Sequence, residues 1–190
     1  MEIIFYLATA SLILFMILAT YDGFYLHIFK YGLFNHEESF FEHKTHTIRA
    51  ILFPFIIWSL FINESNFNLF LFGITLVVLD MIVLGIDAYS EKESRNFMGG
   101  LPKWEYIIHL FSNAFHFSAI VLVLALKIKV TGRSLIFVDE FATSSAQGSF
   151  AFVSINVIPG AIILALLHLI LLLETPRAKW NNFRAKIMCC

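Results

Sequence analysis

The sequence predicts an all-α fold: a polytopic integral membrane protein of about five transmembrane helices forming one bundle. Three observations predict it. The 190 residues are 59% hydrophobic, with a mean hydropathy of +0.80. Only 14% are charged, where a soluble domain carries about a quarter. Apolar stretches close to the ~20 residues that span a bilayer recur along the whole chain. A formal net charge of −1 excludes a polybasic nucleic-acid binder.

The first predicted span runs from Ile3 to Tyr21. No basic residue precedes it and its apolar run exceeds that of a signal peptide, so it is expected to stay in the mature chain. The second, Thr47 to Ile62, is the shortest and contains Pro54, a candidate kink that neighbouring helices can accommodate. The third runs from Phe67 to Ile86, the fourth from Ile107 to Leu126 and the fifth from Phe150 to Leu173. Ahead of the fourth, "MGGLPKWEY" is a helix start: two glycines break the chain, Pro102 suits an early helical position and Glu105 favours the first turn. The polar segment between the fourth and fifth spans is expected to hold a short strand or an interfacial turn. Residues 1–174 read as one transmembrane domain. Residues 175–190 form a basic, aromatic tail expected along the lipid headgroups.

Basic residues set the expected orientation. Lys30, Lys44, Arg49, Lys92, Arg95, Lys103, Arg177, Lys179, Arg184 and Lys186 share one side, against Lys127, Lys129 and Arg133 on the other. The N-terminus is therefore expected outside and the C-terminus in the cytoplasm, which for a bacterial chain means the inner membrane. Cys189 and Cys190 fall on the cytoplasmic side, where a structural disulfide is not expected.

Polar residues are distributed unevenly. All seven histidines lie in the predicted cytoplasmic half, together with Asp22, Glu42, Asp80, Asp87, Glu91, Glu93 and Glu105. Helical spacing sorts them into stripes: Glu42, His46 and Arg49; Asp80, Asp87 and Glu91; Glu105, His109, Ser112 and His116. An ionisable group inside a span is expensive unless it faces the bundle and finds a partner. Three stripes at one depth satisfy one another most easily at the bundle centre. A weak internal repeat accompanies them. Asp22 followed by Glu42-x-x-x-His46 is echoed by Asp87 followed by Glu105-x-x-x-His109.

Imidazoles and carboxylates without a buried thiol suit iron, manganese or zinc. Expected metal ligands are His27, Glu42, His43, His46, Asp87, Glu105, His109 and His168. Arg49, Asp80 and His116 lie deeper and are expected to act in catalysis, as orienting or substrate-facing groups. Glu91, Glu93 and Arg95 are expected in a solvated loop with local ion pairs. The Glu-x-x-x-His spacing departs from the Glu-x-x-His of di-iron bundles. Only His43-x-x-His46 echoes the histidine boxes of membrane desaturases.

These features point to a metal-dependent membrane enzyme holding one or two iron ions and oxidising a lipid or hydrophobic substrate, with a redox partner supplying electrons. Zinc-dependent lipid hydrolysis is the first alternative. A haem- or quinone-binding redox subunit is the second, through His116 with His168 or His46 with His109. A proton pathway is disfavoured because the opposite half of every helix is almost purely apolar.

Overall fold

The computed structural model describes residues 1–63, 65–138, 141 and 144–188. Helix α1 runs as Glu2–Ala19 and continues without a break through a π-helical stretch, Thr20–Tyr31. A short turn leads to α2, which comprises Glu37–Ile56 and a second π-helical stretch, Ile57–Ile62. Then come α3 (Phe67–Ser94), α4 (Lys103–Lys127), α5 (Ser145–Leu171) and α6 (Glu174–Met188). The first five helices are long and apolar enough to cross a membrane. Their outward faces carry large apolar side chains such as Ile3, Leu71, Met81 and Ile163.

Each helix extends beyond its apolar core. The first span does not stop at Tyr21, because Asp22 is buried and paired inside the bundle rather than marking a water-exposed end. The helix stops at Gly32, whose φ of 62° is left-handed and whose N–H donates back to the His27 carbonyl. In α2, Pro54 lacks an N–H to donate back to Ala50, and the helix stays regular to Ile56 before widening. Pro102 occupies the position just before α4. Asn66 caps α3 by accepting from the backbone N–H groups of Asn68 and Leu69.

The expected strand is a β-hairpin. Strand β1 (Ile128–Thr131) pairs antiparallel with β2 (Ser134–Phe137), and Gly132 supplies the positive φ that a two-residue turn needs.

Helix α1 packs along α4, and α3 along α2, while α5 lies against α1 and α2. Helices α2 and α3 approach closely at Gly73, where a Cβ would meet Leu60 Cγ and fall 2.7 Å from Ser59 Oγ. The half of the bundle nearest the hairpin is a packed apolar core containing Phe5, Leu12, Ile56, Leu60, Phe70 and Ile120. The other half holds the polar residues. Helix α6 folds back beneath that half: Arg177 Nη1 donates to the Phe34 carbonyl (3.2 Å), and the Asn35 and Asn181 amides exchange hydrogen bonds. Cys189 and Cys190 lie outside the described residues.

Candidate metal centre

Arg95 sits at the middle of the polar half and is fully buried. Its Nη1 donates to Glu42 Oε2 at 2.5 Å, and its Nη2 to Glu105 Oε1 at 2.6 Å. The His27 ring nitrogen Nε2 is 3.2 Å from Nη2. This corrects the expectation of a solvated loop over Glu91, Glu93 and Arg95. Helix α3 persists to Ser94, and the turn after it folds Arg95 back inside, where two carboxylates repay its desolvation. Glu93 alone of the three is exposed.

Around Arg95 the two copies of the repeat interlock. Asp22 Oδ1 lies 2.9 Å from His109 Nε2, and Asp87 Oδ2 lies 3.2 Å from His46 Nε2. Each aspartate thus faces the histidine of the other copy. Exchanging α1 with α3 and α2 with α4 maps these contacts, and the helix packing, onto each other. The result is two equivalent triads, Asp22–Glu105–His109 and Asp87–Glu42–His46. His27 stands between them, its ring centroid 4.2 Å from that of His46 and 5.5 Å from that of His109.

Among the described residues, two groups have ligand atoms close enough to share an ion. Asp22, His27, Glu105 and His109 offer atoms all within 4.8 Å of one another, and so do His27, Glu42 and His46. His27 Nδ1 and Glu105 Oε2 are buried there without a hydrogen-bond partner among the described residues, and Glu42 Oε1 and His46 Nε2, 3.6 Å apart, make no hydrogen bond either. Outer contacts orient the ligands. His109 Nδ1 meets Glu91 Oε1, and the Thr45 hydroxyl donates to Asp87 Oδ1. A carboxylate on the far nitrogen of a ligating imidazole is a common orienting device.

The other expected ligands lie apart. His43 places Nε2 3.1 Å from the His168 carbonyl, and the two rings stack at 5.1 Å. Both are buried beside the cluster and belong to neither ligand group. Asp87 faces His46 but is outside those groups as well. Arg49, Asp80 and His116 form a deeper network: Arg49 Nε donates to Asp80 Oδ1 (3.0 Å), and His116 Nε2 lies 3.1 Å from Asp80 Oδ2. Arg49 Nη2 also donates to Asn113 Oδ1 at 3.0 Å.

Three participants escape sequence reasoning: Asp22 and Arg95 in the cluster, and Glu91 behind His109. Asp22 and His27 are five residues apart, which a 3.6-residue period places on different faces. The π-helical turn brings them to 3.3 Å. The signal that could have nominated Asp22 is its equivalence to Asp87 in the repeat. For Arg95, the signal is the excess of carboxylates at this end of the bundle.

A cavity of about 120 Å³ joins the two layers and is lined by all five long apolar helices. Its polar wall includes Asp22, His46, Asp87 and His109, and the deeper Asp80, Asn113 and His116. Phe15, Met16, Phe53 and Leu84 make it apolar elsewhere. No protein-family model, curated protein or solved structure matches the chain.

Proposed function

We propose that the chain is a membrane-embedded metalloenzyme acting on a lipid or other hydrophobic substrate, with one or two ions held by the interlocked triads. The observation that carries this reading is a charge imbalance. Five carboxylates, Asp22, Glu42, Asp87, Glu91 and Glu105, share the cluster with one guanidinium, Arg95, which reaches only Glu42 and Glu105; the others face the imidazoles of His27, His46 and His109, which carry charge only when protonated. Three of the cluster's polar side chains, His27, Glu42 and Glu105, are at most 1% exposed and carry atoms with no hydrogen-bond partner among the described residues. Buried charge must be paired or bound to metal, and a divalent cation would engage the carboxylates, the neutral imidazoles and the atoms that lack hydrogen bonds. The two ligand groups, Asp22–His27–Glu105–His109 and His27–Glu42–His46, offer places for two ions, with His27 shared.

The ligand set of imidazoles and carboxylates favours iron, manganese or zinc. Iron is preferred here, because an apolar cavity beside the ligands suits oxidation of an unactivated C–H bond. Dioxygen, two electrons and two protons would convert R–H to R–OH and water, with the electrons coming from a redox partner. With zinc, the same ligands would activate water to split an ester into acid and alcohol. The haem reading is weakened by crowding. His46 and His109 have ring centroids 6.4 Å apart, but His27 shares that space and carboxylates face both Nε2 atoms. The excess of Lys and Arg at the cluster end favours a cytoplasmic location for it.

The test is to load detergent-purified protein anaerobically with ferrous iron or with zinc, and then admit dioxygen. Oxygen uptake with iron alone supports oxidation. Hydrolysis of a lipid ester with zinc, and no oxygen uptake with iron, favours the alternative.

A further inference from the structure

The deep network contains more hydrogen-bond donors than the protein uses. Arg49 spends Nε on Asp80 and Nη2 on Asn113, while Nη1 has no partner among the described residues. Asn113 accepts from Arg49 through Oδ1, so its amide nitrogen, which also lacks a described partner, keeps both protons. Ser112, one residue earlier on α4, lines the same cavity and has no described partner for its hydroxyl. Arg49 retains 16% side-chain exposure in this otherwise buried setting. Arg49 lies about 18 Å from the start of α2, near the middle of its length.

The repeat explains why this layer is asymmetric. Under the exchange that relates the two triads, Asp80 corresponds to Phe15 and His116 to Phe53. The Phe15 ring packs 4.9 Å from Phe53 and 4.6 Å from His116. One wall of the deep cavity is therefore aromatic and the opposite wall is rich in donors. Arg49 is already matched one to one by Asp80, and Asp87 lies in the next layer. An incoming anion would meet no excess positive charge.

We propose that Arg49 and Asn113 form a subsite for an uncharged oxygen acceptor, a ketone or ester carbonyl carried by a hydrophobic molecule. This deepens the metalloenzyme reading by naming its substrate class. Arg49 lies three residues beyond His46 on α2 and Asn113 four beyond His109 on α4, a rise of about 5–6 Å, so an apolar part of the molecule next to the carbonyl would reach the ligands.

The experiment measures binding of three probes to metal-depleted protein in detergent: a long-chain methyl ketone, the alkane of equal length and the fatty acid of equal length. Infrared spectroscopy follows the carbon-13-labelled ketone. The ketone should bind about tenfold tighter than the alkane, the worth of one or two hydrogen bonds, with its carbonyl stretch shifted to lower wavenumber. N113L should weaken the ketone severalfold and leave the alkane unchanged. The double variant R49M/D80L removes the buried ion pair together, limiting damage to folding, and should abolish the wavenumber shift. Equal binding of ketone and alkane, or no effect of N113L, would overturn the subsite. Tighter binding of the fatty acid would replace it with an anion site. Because no metal is present, the subsite can stand while the metal reading fails, and the reverse.

Discussion

Replacing Arg95 by methionine removes the cation at the centre of the cluster while keeping most of its volume. Glu42 and Glu105, 1% and 0% exposed, would then lose their charge-assisted donors at 2.5 and 2.6 Å. Breaking a buried ion pair by deleting one partner costs about 3–5 kcal/mol. For a chain of this size each kcal/mol moves the unfolding midpoint by roughly 2–4 °C. The expected fall is therefore about 6–20 °C, read by thermal unfolding in detergent. The triple variant R95M/E42Q/E105Q removes the stranded charges too and should recover most of the loss. A divalent metal at about a hundredfold over its dissociation constant should return about 2.7 kcal/mol to R95M, since it replaces the missing positive charge. A single variant that melts within 2 °C of wild type, or a triple variant no better than the single, would refute this description of the cluster.

Two further perturbations probe its supports. T45V deletes the donor to Asp87 without changing shape and should cost about 1.5–3 kcal/mol; recovery of that loss in T45V/D87N would tie it to this one hydrogen bond, and an unchanged midpoint in T45V would contradict the pairing. G73A places a methyl group against Leu60 and Ser59 and should cost about 1–3 kcal/mol by forcing α2 and α3 apart, whereas G85A, where nothing lies within 4 Å, should be neutral or slightly stabilising; equal midpoints for the two variants would contradict the close approach.

The five long apolar helices are legible because their apolar runs exceed what a soluble core needs, as in Phe67–Ile86. Their ends are not, because hydropathy marks lipid contact and not helix. Asp22, Glu42 and Glu105 look like water-facing termini when burial and pairing keep them helical. Much of the candidate site is legible too. Glu42 with His46, and Glu105 with His109, share helix faces at regular spacing, and the structure brings these four together with His27. His43 and His168 carry the same chemistry but meet each other instead, because their side of α2 faces α5. Asp22 is hidden by a π-helical turn that no 3.6-residue pattern encodes. Arg95 is hidden because its role depends on a turn folding inward, and a run of charges with one serine resembles an exposed loop until its partners are known.

The most direct test of the central claim is the metal content of the full-length protein, purified in mild detergent without chelator. It should be measured by elemental analysis beside H46A, H109A and D22N/D87N. The account predicts one to two equivalents of a first-row metal in wild type. It predicts about half that content or less in each single histidine variant, and near-complete loss in the double aspartate variant, which takes an acidic residue from both triads. Wild type and all variants carrying equally little metal, even after supplementation with iron, manganese and zinc, would contradict it and leave the cluster as a buried ion-pair network.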